Sequence, residues 1–181
     1  MAKTLERWET VREGAIDRYA VFAVQRIWRR SSRTGLVGEY QVLRTPSWVN
    51  VVALTPQQDV VLVEQYRHGV DRVTLEIVGG MVDAGEDPGT AAARELLEET
   101  GYAGDAPERL GAVRPNPAIQ DTECTTWLIR NARKVAEPRP DDGEHIEVVT
   151  APLTAIPEMI RAGRIDHTLV ISAFYLLGLR G

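Results

Sequence analysis

The chain has 181 residues, 44% of them hydrophobic and 26% charged, which is ordinary for one globular domain or a domain with an arm. The net charge of −5 argues against nucleic acid as a partner, and a single cysteine, Cys124, excludes an intramolecular disulfide. The sequence shows no apolar leader and no apolar run of membrane-spanning length, so we expect a cytoplasmic protein with no membrane partner.

The first 46 residues have the pattern of an antiparallel β arm. Residues 19–30 are rich in Val, Ile, Phe and Trp and predict a strand, residues 31–35 a turn, and residues 39–44 a returning strand. A two-stranded hairpin is marginally stable unless it packs on another surface. We therefore expect residues 1–46 to form a dimerisation arm and residues 47–181 to form the main domain.

The main domain alternates strand patterns with helical ones. Apolar runs predict strands at 48–54, 60–67, 108–113, 124–131 and 147–150, and residues 74–77 lead into a glycine-rich turn. Helices are predicted after Asp87 and over residues 154–162 and 167–179. Strands before and after one long helix, with more helix at the end, predict an α/β fold with α/β/α layering.

The helix after Asp87 has clear start and stop signals. Asp87 suits the N-cap and Pro88 the first helical position, while Gly101 is placed to end the helix. Glu86 and Arg94 are predicted to pair across this segment, which would fix the preceding loop onto the helix. The role of that pair would be structural, and an exposed pair of this kind contributes little stability.

Three carboxylates share one face of this helix. A helix turns by about 100° per residue, so Glu95, Glu98 and Glu99 fall within a sector roughly 100° wide. Like charges at these spacings repel, and a divalent cation with hard oxygen ligands, Mg²⁺ or else Mn²⁺, would compensate. The other interpretation is a solvated acidic face. The opposite face, expected to meet the core, carries Ala93, Leu96 and Leu97.

The segment as a whole matches a known signature. A glycine is followed after five residues by a glutamate, and after seven more by Arg-Glu-apolar-x-Glu-Glu-x-Gly-apolar, and the chain resembles the Nudix hydrolases at every position but the last. The matching residues are Gly80, Glu86, Arg94, Glu95, Leu96, Glu98, Glu99 and Gly101, and Tyr102 stands where an aliphatic residue is usual.

The resemblance implies a fold, a reaction and a set of ligands. The fold is a mixed sheet between helices over about residues 47–178, and the reaction is hydrolysis of a nucleoside diphosphate linked to another moiety. Two or three Mg²⁺ ions are expected on Glu95, Glu98, Glu99 and the Gly79 carbonyl, with Glu98 also counted as catalytic. The positions expected to serve the structure of the motif are Gly80, Glu86, Arg94 and Gly101.

Residues around the signature are similar to the ADP-ribose pyrophosphatases and their relatives that act on nucleoside diphosphate sugars. The stretches 63–67 and 75–80 and the position of Pro117 carry this likeness. It implies a homodimer whose N-terminal arms complete the active sites. The substrate would be ADP-ribose or a related sugar nucleotide. Alternatives are a nucleoside triphosphate or dinucleoside polyphosphate hydrolase, or a non-catalytic nucleotide sensor.

Four further side chains are candidates for substrate binding. The guanidinium of Arg67 suits phosphate oxygens, although it would also suit a surface ion pair. Glu76 is either an ordinary strand residue or a group near the substrate or metal. Trp28 and Trp48 are core or interface anchors, or else platforms for the base.

A general base is still needed for the attacking water. In the ADP-ribose branch it is a glutamate on a loop before the C-terminal helices, and residues 142–148 match that loop. Glu144 aligns best with it. Glu147, Asp141 and Asp142 are the weaker candidates, and a solvated loop glutamate is the alternative to any catalytic role.

Overall fold

The structure is a computed structural model that describes residues 6–139 and 145–179. The chain forms two compact units. One contains the residues up to Pro46 together with Asn116–Thr122, and the other contains Ser47–Pro115 together with the residues from Glu123 onward.

The smaller unit is a three-stranded antiparallel sheet of β1 (Glu9–Arg18), β2 (Ala23–Arg30) and β3 (Val37–Arg44), in that order. The two-stranded hairpin predicted from the sequence was therefore incomplete. Strand β1 gives no clear alternating signal, because its register with β2 shifts twice and almost all of its residues are exposed. The predicted start of β2 at residue 19 was also wrong, since Tyr19 donates a backbone hydrogen bond to Phe22 across a tight turn.

The larger unit contains the strands β4 (Trp48–Ala53), β5 (Asp59–Arg67), β6 (Arg72–Met81), β7 (Tyr102–Ala103), β8 (Glu108–Val113), β9 (Cys124–Ile129), β10 (Arg133–Lys134) and β11 (Ile146–Pro152). Six of them form one sheet in the order β11-β5-β6-β4-β9-β8. Neighbouring strands are antiparallel except β4 and β9, which are parallel, so the sheet is mixed as predicted. A two-stranded pair, β7 with β10, lies outside this sheet and was not predicted.

Helices cover both faces of the six-stranded sheet. Helix α1 (Pro88–Thr100) closes one apolar cluster, and α2 (Ile156–Arg161), which follows a short 3₁₀ turn, closes the other with α3 (Thr168–Gly178). The α/β/α sandwich is thereby confirmed. None of these helices within the described ranges is long and apolar enough to cross a bilayer. The largest buried side chains at the two faces include Val49, Val51, Leu96 and Ile129 on the α1 side and Leu54, Leu62, Leu128 and Ile165 on the other.

Helix α1 begins and ends as its sequence predicts. The Asp87 carboxylate accepts hydrogen bonds from the backbone N–H groups of Gly89 and Thr90, each at 3.0 Å. Gly101 ends the helix at φ 71°, and its N–H donates to the Leu97 carbonyl. A side chain at this position would also place its Cβ 2.1 Å from the Ala136 carbonyl oxygen. Both the left-handed backbone and the close approach therefore require glycine.

The buried face of α1 differs from the prediction. Leu96 is buried as predicted, but Ala93 and Leu97, also expected to meet the core, are exposed. The other buried positions of the helix are Gly89, Ala91, Ala92, Glu99 and Thr100. The prediction assumed that the carboxylates avoid the core. The sheet packs against α1 along a stripe that includes Glu99, because the small side chains of Ala91 and Ala92 allow the helix to approach the sheet closely there.

Gly101→Ala should destabilise the fold strongly. The substitution adds left-handed strain of about 1–2 kcal/mol and a clash with the backbone at Ala136. The control is Gly163→Ala, which shares a positive φ of 72° but has open space around the added methyl group. We expect urea denaturation to show a loss of at least about 3 kcal/mol for the first variant and about 1 kcal/mol for the second. Equal losses would contradict the proposed clash.

Candidate active site

The acidic face of α1 points toward the sheet. Glu95, Glu99 and the buried Ala92 lie within about 60° of one another around the helix. Glu99 is only 6% exposed, whereas Glu98, on the edge of the same face, keeps 46% of its side chain exposed. The helix therefore holds the carboxyl groups of Glu95 and Glu99 on the side that faces the sheet, which argues against a merely solvated acidic surface.

The end of β6 provides the surface that faces these carboxyl groups. Gly79 and Gly80 were predicted in a turn, but both are paired with β4 as part of the extended strand. A Cβ on Gly80 would lie 2.2 Å from the Glu95 carboxyl carbon, so only glycine lets that carboxylate rest against the strand. Glycine at this position of the signature is thus explained by a side chain of α1.

Gly79 is enclosed from the opposite side of the strand. A Cβ on it would lie 2.8 Å from the Val49 carbonyl oxygen and 2.9 Å from Asn50 Oδ1. Asn50 is buried in β4, and its Nδ2 donates to the Leu169 carbonyl of α3 at 3.0 Å. Sequence reasoning missed Asn50, although a polar residue in the middle of an apolar strand is a recognisable signal.

Arg94 joins three of the carboxylates of this segment. Its Nε and Nη2 donate to the two oxygens of Glu86, each at 2.9 Å, and its Nη1 donates to both Glu95 and Glu98 at 2.9 Å. Nη2 also reaches the Met81 carbonyl at the end of β6, at 3.1 Å. The predicted Glu86–Arg94 pair is confirmed, and it belongs to a half-buried network instead of being an exposed pair.

The charge balance in this network shifts two pKa values. The hydrogen bonds from Arg94 hold the pKa of Glu86 below its usual value, and the Asp83 N–H that also donates to Glu86 acts in the same direction. Hydrogen bonds to Glu86 raise the pKa of Arg94 further above its already high value. Both groups therefore stay ionised across the physiological pH range.

The donor chemistry of this site fits a hard divalent cation. Its carboxylates and the nearby backbone carbonyls are the oxygen ligands that Mg²⁺ and Mn²⁺ prefer, and Gly80 leaves room for the Glu95 carboxylate beside the strand. Within the described ranges, however, no three Asp, Glu, His or Cys side chains converge as a ready ligand group. The carboxylates of Glu95 and Glu98 instead form ion pairs with Arg94, which supplies the positive charge next to them.

A second charged group lies on the same face of the sheet. Glu76 of β6 is paired with Val63 of β5, which belongs to the apolar cluster on the α1 side. Arg67 follows Val63 by four residues on β5, so its side chain projects from the same face of the sheet. Arg67 donates from Nε and Nη2 to the two oxygens of Glu76, at 3.0 and 2.9 Å. Thr74, which sequence reasoning also missed, contributes a hydroxyl hydrogen bond to Glu76 at 2.6 Å.

The two tryptophans lie in different units. Trp48 starts β4 in the larger unit and is half-buried. Trp28 lies in β2 of the smaller unit, where the Arg12 guanidinium stacks 3.5 Å from the centre of its ring. One face of Trp28 is therefore already in contact with a cation.

The candidates for the general base are only partly described. Glu144, Asp141 and Asp142 lie outside the described residues. Glu147 is exposed on β11, between Ile146 and Val148, whose side chains pack on the α1-side cluster. Since successive side chains alternate across a strand, Glu147 points to the opposite face of the sheet from α1.

Comparisons with known proteins agree with this architecture. The NUDIX domain model matches residues 44–171. A crystal structure of an ADP compounds hydrolase superimposes with a TM-score of 0.85 at 21% identity, covering 97% of this chain and 95% of the other. That similarity supports the fold.

Sequence relatives support the family and the resemblance to its ADP-ribose branch. The chain is 31% identical over 144 residues to a methanol dehydrogenase activator of Bacillus methanolicus, covering 78% of each. It is 35% identical over 130 residues to the ADP-sugar pyrophosphatase of Mus musculus, covering 66% of this chain and 58% of that one. It is 26% identical to the ADP-ribose pyrophosphatase of Bacillus subtilis, covering 81% and 80%. The chain therefore belongs to the Nudix family of hydrolases, which act on phosphorus-containing anhydrides.

Proposed function

We propose that the chain hydrolyses the pyrophosphate bond of ADP-ribose or a related nucleoside diphosphate sugar, giving a nucleoside monophosphate and a sugar phosphate. The observation that carries this proposal is the acidic face of α1, which is turned toward the glycines at the end of β6. The names of the relatives from Mus musculus and Bacillus subtilis support the class of substrate. Cytoplasmic localisation is part of the same proposal.

The reaction is proposed to depend on divalent cations, Mg²⁺ or alternatively Mn²⁺, two to three in each site. Glu95, Glu98 and Glu99, with the Gly79 carbonyl, would hold them. When bound, such ions neutralise the charge of a pyrophosphate and polarise its phosphoryl oxygens. Arg94 keeps two of these carboxylates oriented before a cation arrives, since it already holds Glu95 and Glu98 in place.

Groups outside α1 would bind the substrate and activate water. The Arg67 guanidinium suits phosphate oxygens, and Trp48 and Trp28 are the candidates for stacking on the base. Glu144 is proposed as the general base that accepts the proton of the attacking water. The position of Glu147 favours Glu144, because Glu147 points away from the α1 face.

The smaller unit is proposed to mediate a homodimer. Many of its large apolar side chains are exposed, which is unfavourable for a unit that remains alone in water. They include Val11, Ile16, Tyr19, Val21, Phe22, Leu36, Val37 and Tyr40. Burial against a second copy would remove this surface from water, and a two-fold interface is the commonest arrangement.

Activity should disappear in EDTA and return with added Mg²⁺. In the presence of Mg²⁺, Glu99→Gln should lower kcat by more than about a hundredfold. Loss of a residue that only supports a metal ligand costs about 10- to 100-fold, and this change removes a proposed ligand itself. The control is Glu137→Gln, which removes a carboxylate from an exposed pair with Lys134. Release of AMP from ADP-ribose measures both effects. Full activity in EDTA, or a normal rate for Glu99→Gln, would contradict the proposal.

Glu144→Gln should lower kcat by about 10²–10⁴-fold with little change in substrate affinity, because a general base acts in the transition state. Glu147→Gln is the matched control and should stay close to the wild type. Steady-state kinetics with ADP-ribose separate the two parameters. The opposite ranking of the two variants would show that Glu147 is the base.

The intact protein should sediment as a dimer, and a truncation that starts near Thr45 should lose both dimerisation and activity. The physical reason is the exposed apolar surface of the smaller unit, which the partner would cover. Analytical ultracentrifugation at micromolar concentration and the hydrolysis assay test the two parts. A monomeric wild type, or a soluble and fully active truncation, would refute the shared-site arrangement.

A further inference from the structure

The carboxylate of Glu76 holds Arg67 through both of its oxygens. Each oxygen accepts one hydrogen bond from Arg67, Oε1 from Nε at 3.0 Å and Oε2 from Nη2 at 2.9 Å, so the guanidinium plane is fixed relative to the carboxylate. A single contact would leave the arginine free to rotate about it, whereas this two-point contact does not. Glu76 therefore sets the direction in which the guanidinium points.

The two partners differ in their exposure. Glu76 is 3% exposed and lies within the sheet, whereas Arg67 keeps 38% of its side chain exposed at the end of β5. A carboxylate that is almost wholly buried and holds Arg67 through both oxygens leaves almost no surface for a ligand. The arginine, in contrast, presents part of its surface outward on the α1 face of the sheet.

Thr74 fixes the carboxylate in turn. Its hydroxyl lies 2.6 Å from Glu76 Oε1 and 3.2 Å from the Gln65 carbonyl of the adjacent strand. Thr74 and Glu76 are two residues apart on β6 and so project from the same face. The hydrogen bonds thus connect a buried hydroxyl, through a buried carboxylate, to a partly exposed guanidinium.

Burial and pairing act on Glu76 in opposite directions. Burial by itself would raise its pKa, but the hydrogen bonds from Arg67 and Thr74, with the charges of Arg67 and His167, outweigh it and hold the pKa below its ordinary value. The carboxylate is consequently ionised at neutral pH and remains a full partner for the guanidinium.

We infer that Glu76 is a positioning residue that orients the Arg67 guanidinium toward the phosphate oxygens of a nucleoside diphosphate substrate and makes no contact with the substrate itself. This inference rests on the proposed function, because it takes the substrate to be a nucleoside diphosphate whose phosphate oxygens Arg67 binds. The competing interpretation is that the pair only ties β5 to β6 and has no effect on binding.

A double-mutant cycle distinguishes the two interpretations. Arg67→Ala should raise KM for ADP-ribose by about 10- to 100-fold, the effect expected for a hydrogen-bonded charge. Glu76→Gln, which keeps the shape of the side chain, should raise KM by about fivefold or more while kcat changes less. In the Arg67→Ala background, Glu76→Gln should have almost no further effect on KM, because its action requires the arginine.

Thr74→Val and Glu158→Gln complete the experiment. Thr74→Val should raise KM in the same direction but less, again only when Arg67 is present, and it decides the question if Glu76→Gln does not fold. Glu158→Gln, the matched control, removes a carboxylate from an exposed pair with Arg161 and should leave KM unchanged. Thermal melts establish that every assay is run well below the melting temperature.

The outcomes separate the inference from the proposed function. Lower melting temperatures with unchanged KM for Glu76→Gln and Thr74→Val would show a purely structural pair and overturn the inference. An equal loss from Glu76→Gln with and without Arg67 would also overturn it. A wild-type protein that hydrolyses no nucleoside diphosphate sugar would refute the proposed function, and the inference with it.

Discussion

The candidate site depends on one guanidinium group, that of Arg94, which donates hydrogen bonds to three carboxylates. Arg94 bonds to Glu86 before the helix, to Glu95 and Glu98 on it, and to the Met81 carbonyl at the end of β6. These contacts tie the loop, the helix and the strand together at one point. A lysine would retain the charge but has no planar fork to reach all of these acceptors in fixed directions. The arginine of the signature is therefore needed for geometry as much as for charge.

This arrangement leaves the site with more negative than positive charge. Three carboxylates share one guanidinium, and the partly buried position weakens the screening of their repulsion by water. A fold selected only for stability would gain little from such a cluster, because half-buried charges cost desolvation energy that their pairing only partly returns. The excess of negative charge is readily understood if the cluster is a binding site for cations, which is the basis of the proposed metal dependence.

Signals confined to a few neighbouring residues predicted the structure well. Asp87, Pro88 and Gly101 mark the ends of α1 because capping depends on backbone geometry within one turn. The buried face of that helix could not be found in the same way. Ala93 and Leu97 have the expected polarity for a core, but the approach of the sheet to Ala91 and Ala92 decides which face is covered. Strand β1 was missed for a similar reason, since its pairing with β2 depends on two register shifts that leave no regular alternation.

The α1 face of the sheet carries two charge arrangements with different consequences. Around Arg94 the acids are in excess, whereas Arg67 and Glu76 form a one-to-one pair farther along β6. The four steps along the strand from Glu76 to Gly80 span about 13 Å, so the two groups are separated by more than the length of one ion pair. A substrate with a pyrophosphate centre would meet cations at the acid-rich end, whereas a partly exposed arginine at the other end needs no metal to attract phosphate oxygens. Because the buried Glu76 carboxylate holds this guanidinium at two points, the strand that carries Glu76 determines the direction in which the arginine points.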